Sequence, residues 1–396
     1  MDYKTLNSNL YELKLEGALD TITEIAQQPN CWRQIEGLLD NTDPALYELI
    51  AKTLENPTAC ITFCGAGTSA YVGDVLAPAI QQFAKARVRS VPTTDIVSRP
   101  DYYFNKESEG IVFAFGRSGN SPESVDTADK VSQLAPNVHQ INVTCNPNGE
   151  LSKRNDSHNH VCLMPAETHD KSFVMTSSFS TMLLFTFQLV SRAAGRPAAN
   201  LKAVADCAED WCKRLLSANF LQKIPSSQRL VYLGSNTLFG AAKESALKAL
   251  EMTGGKVVTL YETSLGFRHG PKSIVDENTT VCVFVSNNEY TSRFDRDMAI
   301  ELLSNNKCKQ VVVIATQRIA DQLLQKFDEK SPLELIVLPD DLADVDDVLL
   351  APLGVLVSQV IGLTLSITFD ISPDNPCPTG EVNRVVQGVT LYEFQQ

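Results

Sequence analysis

Two groups of residues in this 396-residue chain carry chemistry in their types and spacing. The first lies in Ile111–Ser124, IVFAFGRSGNSPES, an apolar run that breaks into glycines and hydroxyl side chains just before a helix start. A buried parallel strand would deliver this segment to the carboxyl edge of a sheet. Gly116 and Gly119 would let it turn tightly, and the next helix would offer unpaired N–H groups and the positive end of its dipole. Ser118, Ser121 and Ser124 add donors without charge, which suits a phosphate ester. No Gly-Lys-Ser/Thr ending is present, so this is not a nucleoside-triphosphate loop. Ser-Gly-Asn-Ser-Pro is equally ordinary turn chemistry capping a helix. The second group is Glu244, Lys248 and Glu251, which share one helix face by their i, i+4, i+7 spacing. It is followed by SLGFRHGPKS, where Arg268, His269 and Lys272 crowd beside Gly266 and Gly270. The same residues also fit a solvated, ion-paired helix and a structural loop histidine.

The elements that position these groups recur along the chain. Ile61–Cys64 leading to Gly65 is matched by Leu230–Leu233 leading to Gly234, each opening a helix of small residues. Ile111–Phe115 then corresponds to Val281–Val285, Gln140–Val143 to Gln310–Ile314, and Val161–Pro165 to Ile336–Pro339, at offsets of roughly 170 residues. Val- and Ile-rich strands alternating with helices predict an α/β fold of two tandem doubly wound parallel sheets, flavodoxin-like in type. The segmentation expected is a helical segment over 1–40, a domain over 41–195, a helical linker over 196–224, a second domain over 225–370 and a tail over 371–396. Trp32 and a leucine-rich stripe in the first segment are expected to pack on the body. The two copies have diverged. The counterpart of the serine loop reads VSNNEYTSRFDRD, with no glycine and with Glu289 placed to repel a phosphate, so only the first copy is expected to bind one.

Composition sets the surroundings. A hydrophobic share of 43% and a charged share of 20% are those of a soluble globular protein, and a net charge of −13 argues against a nucleic-acid partner. The ten cysteines show no C-x-x-C pair and no zinc spacing, which suits core residues in a reducing cytosol. The N-terminus reads as no signal peptide. Leu349–Phe369 carries no charge and is long enough to span a bilayer, yet Pro352, Ser358, Gln359 and Ser366 interrupt it. A buried helix, in the core or at a subunit contact, is expected there rather than a membrane span.

At these residues the chain resembles the sugar isomerase (SIS) domain family, over nearly everything from about residue 40 onward. Its two-domain members include the isomerase half of glucosamine-6-phosphate synthase. The AgaS-type galactosamine-6-phosphate deaminase/isomerase group, also labelled tagatose-6-phosphate ketose/aldose isomerases, is similar in length and in the stretch ETHDKSFVMTSSFST. The resemblance implies that Thr68 and Ser69 in CGAGTSAY contact a sugar phosphate, and that Arg117, Ser118, Gly119 and Ser121 form its phosphate loop. It places Glu251 as the isomerising glutamate and Lys248 as its lysine neighbour. His269 in RHGP is placed as the ring-opening histidine that reaches in from the neighbouring subunit of a homodimer. Two departures follow. Asp2 stands after Met1 where the synthase has a cysteine nucleophile, so glutamine-dependent synthesis is not expected. A lysine near the synthase's C-terminus is matched by Gln387.

The implied reaction is proton transfer from C2 to C1 of an opened galactosamine 6-phosphate, with loss of ammonia to give tagatose 6-phosphate. Glu251 is the base, Lys248 holds its charge, and the loop clamps the phosphate. A hydroxyl at C2 gives aldose-ketose isomerisation instead, and a non-catalytic sugar-phosphate sensor is a further alternative. Glu167 and His169 are expected to line the sugar pocket. A proton is the only species moved, so no cofactor and no metal is expected. The partners anticipated are the phosphorylated amino sugar and a second copy of the chain, in the cytoplasm, with neither nucleic acid nor membrane. Gly65-Ala-Gly67-Thr-Ser-Ala70 imitates a dinucleotide fingerprint, but the acidic residue expected about twenty positions on is missing from the basic stretch Phe83–Ser90.

Overall fold

The computed structural model of the protein describes residues 17–386 and 388–395. Its helices are α1 (Leu19–Arg33), α2 (Ile35–Asp40), α3 (Pro44–Glu55), α4 (Thr68–Gln81), α5 (Thr93–Ser98), α6 (Pro122–Leu134), α7 (Ser177–Ala193), α8 (Leu201–Leu215), α9 (Ala218–Leu221), α10 (Thr237–Met252), α11 (Glu289–Asn305), α12 (Gln317–Leu324) and α13 (Asp347–Thr368). The chain divides into two compact units, neither of them contiguous. One takes the chain up to Asn30 with Lys171–Thr176 and Asn200–Pro378; the other takes Cys31–Asp170, Ser177–Ala199 and Thr379–Gln396.

The second of these units is built on strands β1 (Cys60–Cys64), β2 (Arg87–Ser90), β3 (Gly110–Gly116), β4 (Val138–Thr144) and β5 (Asn159–Leu163), in the order β2-β1-β3-β4-β5. Every pairing is parallel, with Cys60 opposite Gly110 and Gly110 opposite Val138. The central strand β3, GIVFAFG, is buried from Gly110 to Phe115, as a strand covered on both faces must be, and so reads as one apolar run. Val112 and Ala114 pack with Val131, Leu134 and Leu151 in one core cluster. Trp32 is fully buried and donates through Nε1 to Ser180 Oγ of α7 at 3.0 Å. The leucine-rich stripe expected before Gly17 lies outside the described residues. Thr379–Gln396 closes this unit, where Phe394 packs against the same cluster.

The other unit is built on β6 (Arg229–Gly234), β7 (Val258–Glu262), β8 (Thr279–Phe284), β9 (Gln310–Thr316) and β10 (Leu333–Leu338), in the order β7-β6-β8-β9-β10, again all parallel. The two sheets therefore share one winding, the flavodoxin-like order in which the second strand lies outside the first. Each holds an edge strand, β2 or β7, that the four apolar runs per copy do not include. RVRS and VTLYE have exposed or half-buried positions throughout, so no apolar run announces them. The apolar helix α13 begins with Asp346 accepting from Val348 N at 3.1 Å and is buried from Val348 to Ile367. Its length and composition would allow it to cross a membrane, but its apolar window is wholly enclosed by protein. At Gly362 it runs against α10, where a Cβ would meet Met252 Sδ at 3.1 Å and Ala249 Cα at 3.3 Å.

Candidate functional site

The residues singled out fall into two groups, one in each unit. In the β1–β5 unit, β3 runs into the serine loop, and Gly119 takes φ +64° with a hypothetical Cβ 3.1 Å from Thr144 Oγ1. Three bonds from the segment after β4 fix the loop. Asn146 Nδ2 donates to the Ser118 carbonyl at 2.9 Å, Leu151 N to the Gly119 carbonyl at 3.1 Å, and Glu150 N to Asn120 Oδ1 at 2.9 Å. Ser121 stands at the N-cap of α6 with Pro122 behind it, yet its hydroxyl makes no capping bond. Thr68 and Ser69 open α4 after Gly67 at φ +55°, and both are buried. Gly65 allows that entry, since a Cβ there would lie 2.5 Å from the Ser69 carbonyl carbon.

Arg117 of the loop is 6% exposed, and its Nη2 donates to the Arg384 carbonyl at 3.0 Å. Arg384 donates through Nη2 to the Asp170 carbonyl. The Asp170 carboxylate, fully buried, binds the start of α7: it accepts from Ser178 N at 3.0 Å, from Ser178 Oγ at 2.6 Å and from Ser177 Oγ. His169 is half-buried beside this cluster. Burial, and then the charges of Arg384 and Arg117, hold its imidazole below the ordinary histidine pKa, with Asp170 opposing them. Glu167 is exposed on the short turn before it.

In the β6–β10 unit, Glu244, Lys248 and Glu251 line up on α10 as their spacing requires, but the helix face is buried rather than solvated. Lys248 is 1% exposed, and its Nζ lies 2.5 Å from Glu251 Oε2 and 3.4 Å from Glu244 Oε1. Glu244 is fully buried, while Glu251 keeps a quarter of its side chain open to solvent. A buried ammonium shared by two carboxylates holds charge in place, with one carboxylate left within reach of a ligand. His269 ends a short turn and is exposed, next to Gly270 at φ +124°. Its neighbours Arg268 and Lys272 both pair with Glu301 of α11, Arg268 Nη2 at 2.8 Å. Among the described residues no hydrogen bond or ion pair joins His269 to Glu251.

The loop after β8 differs from its counterpart for a reason other than the one expected. Glu289, expected to repel phosphate, is exposed at the start of α11 and pairs with Arg293 at 2.8 Å. The donors are instead taken by two buried carboxylates. Asp295 accepts from Ser286 N at 3.1 Å, Ser235 Oγ at 2.6 Å and Ser264 Oγ at 2.6 Å. Asp347 accepts from Ser286 Oγ at 2.5 Å and Asn287 N at 2.8 Å. Burial raises both pKa values, that of Asp347 to about 6.

Comparison with known proteins shows the family of the chain. A family model described as the SIS domain matches residues 58–192. D-galactosamine-6-phosphate deaminase AgaS of Shewanella sp. (strain ANA-3) is 38% identical over 392 residues, covering 97% of this chain and 94% of that protein. The chain belongs to the AgaS family. An Escherichia coli AgaS, also named D-galactosamine-6-phosphate deaminase, is 37% identical over 382 residues, covering 95% of this chain and 96% of its own. The crystal structure of tagatose-6-phosphate ketose/aldose isomerase from Escherichia coli superposes with a TM-score of 0.83 at 34% identity, covering 95% of this chain and 97% of that one.

Four polar residues of the two groups had no signal strong enough to single them out. Asp170 sits within the quoted stretch ETHDKSFVMTSSFST, but nothing in that string marks it as the acceptor for the start of α7. Arg384 is in the tail, and its bonds to Arg117 and Asp170 each involve a backbone carbonyl, an acceptor that every residue carries. Asp295, inside α11, and Asp347, at the start of α13, look like surface acids. Gln387, the expected counterpart of the synthase's lysine, lies outside the described residues.

Proposed function

We propose that the chain is an amino-sugar-phosphate deaminase/isomerase that converts galactosamine 6-phosphate to tagatose 6-phosphate and ammonia. The observation that carries this reading is the fully buried Lys248 held against Glu251, together with relatives of nearly full coverage named for that deamination. Glu251 takes the proton from C2 of the opened aldehyde and returns it to C1, with Lys248 Nζ held 2.5 Å from the accepting carboxylate. The proton shift leaves an imine at C2, which water hydrolyses to ammonia and the ketose. Ser118, Ser121 and the amides starting α6 hold the phosphate, with Thr68, Ser69, Arg117 and Gly119 shaping its surroundings. Glu167 and His169 face the sugar. His269, exposed on its turn, assists ring opening in the site of the neighbouring subunit of a homodimer, in the cytoplasm.

A second reading, isomerisation without deamination, is favoured by the structural relative named as a ketose/aldose isomerase. The same glutamate serves it. Ammonia release from galactosamine 6-phosphate, measured beside glucosamine 6-phosphate and beside Glu251→Gln, separates the two. Release that falls a hundredfold or more, roughly the range of a lost general base, is expected in the variant. A wild-type protein that interconverts ketose and aldose phosphates yet frees no ammonia from either amino sugar belongs to the second reading.

A further inference from the structure

The stretch Thr144–Ser152 at the end of β4, TCNPNGELS, holds the serine loop by two successive carbonyls. Asn146 Nδ2 donates to that of Ser118 at 2.9 Å, and Leu151 N to that of Gly119 at 3.1 Å. The partners of the Asn146 amide set its orientation: Oδ1 accepts from Asn148 N at 3.0 Å, which leaves Nδ2 for the carbonyl. In a planar trans peptide a C=O and the N–H that follows it point in opposite directions. With both carbonyls drawn toward the 146–151 segment, the Gly119 and Asn120 N–H groups turn to the other side of the loop. The Asn120 N–H meets Ser118 Oγ there at 3.2 Å, and a hydroxyl that accepts one bond keeps its own proton to donate. Gly149 makes the close approach possible. A Cβ on it would collide with the Ser118 carbonyl oxygen and stand 3.2 Å from Gly119 Cα.

We propose that Asn146 and Gly149 are positioning residues for the substrate's phosphoryl group. Asn146 turns the Ser118–Gly119 peptide so that the Gly119 N–H and the Ser118 hydroxyl donate on the face of the loop away from the 146–151 segment. Gly149 lets that segment lie close enough to hold the peptide there. An anion on that face meets donors already oriented, and so does not bear the cost of ordering them. This rests on the phosphate-binding reading of the loop given above, and goes beyond it by assigning the turn after β4 a part in phosphate recognition.

The test is calorimetric titration of the full-length protein with inorganic phosphate, galactosamine 6-phosphate and unphosphorylated galactosamine. Wild type is compared with Asn146→Ala, Gly149→Ala, Ser152→Ala and Ser118→Ala. Asn146→Ala and Gly149→Ala are each expected to weaken inorganic phosphate and the sugar phosphate by about fivefold, the scale of one hydrogen bond, and to leave galactosamine unchanged. In turnover, KM for the sugar phosphate rises by a similar factor while kcat stays within about twofold. One variant removes a donor and the other adds a Cβ, so if either does not fold the other decides. Ser152 Oγ donates to the Pro147 and Gly149 carbonyls within the turn, at 2.9 and 2.6 Å. Ser152→Ala therefore loosens the same turn, and it is expected to keep phosphate affinity within about twofold. An equal loss in Ser152→Ala overturns the proposal, as does an equal loss for galactosamine with and without its phosphate. Phosphate binding that Ser118→Ala weakens while Asn146→Ala and Gly149→Ala leave it intact overturns this inference alone. Binding that none of the three weakens overturns the reading of the loop, and this inference with it.

Discussion

The loop after β3 and the loop after β8 leave their sheets at the same strand of one winding, and they manage negative charge in opposite ways. After β3, neighbouring backbone and amide groups fix the turn from outside, and the Ser121 hydroxyl caps nothing. After β8, Asp295 takes the Ser286 N–H, and Asp347 takes the Ser286 hydroxyl and the Asn287 N–H. One strand exit leaves the Ser121 hydroxyl without a capping bond; the other carries its anion within the chain.

The sharpest way to break this contrast is Asp295→Ala. It would strand the Ser286 N–H and the Ser235 and Ser264 hydroxyls in the core, and we expect a loss of roughly 3 kcal/mol in urea denaturation. A loss below about 1 kcal/mol, the worth of one ordinary hydrogen bond, would mean that the carboxylate is not what holds this loop.

Asp347 adds a pH dependence. Its folded pKa, pushed up by burial to about 6 from 3.8, means that the folded protein binds this proton more tightly than the unfolded chain does. The contribution to stability is therefore full below about pH 4, declines as pH rises to about 6, and is flat above, a swing of roughly 3 kcal/mol. Denaturation midpoints of wild type and Asp347→Asn across that interval should diverge by this amount, with wild type losing ground as pH rises. Parallel curves would show that the carboxylate titrates normally.

A smaller effect sharpens the comparison from the other side. Ser118→Ala should weaken inorganic phosphate by about fivefold, close to 1 kcal/mol, and leave the melting temperature alone. Ser286→Ala, its partner in the second loop, should do the reverse and lower stability with no change in phosphate affinity. Equal effects of the two changes on phosphate would end the distinction between the loops.

Much of this architecture was legible in residue order because central parallel strands advertise themselves. IVFAF and VCVF are buried along their length, so they read as unbroken apolar runs, whereas RVRS and VTLYE are edge strands with exposed positions and no such run. The i, i+4, i+7 spacing put Glu244, Lys248 and Glu251 on one face, but spacing alone could not distinguish a solvated row from a buried one. Burial settles that, and it depends on α13 packing against α10 from far along the chain. Arg384 reaches Arg117 across 267 residues through a carbonyl oxygen, an acceptor every residue carries, so its side-chain type held no clue. Glu289 was the conspicuous acid in the second loop, yet helix geometry leaves it beside Arg293 in solvent, and the effective carboxylates come from later in α11 and from the first residue of α13.

The return of Thr379–Gln396 to the β1–β5 unit has a consequence for how the molecule is made. On the ribosome, the strands and helices of that unit have all been synthesised by Ala199, long before the tail exists. Domains tend to fold as they emerge. This one acquires its sheet early and Arg384 only after the second sheet has been made, so a nascent chain displays the serine loop before the Arg384 carbonyl can bond Arg117.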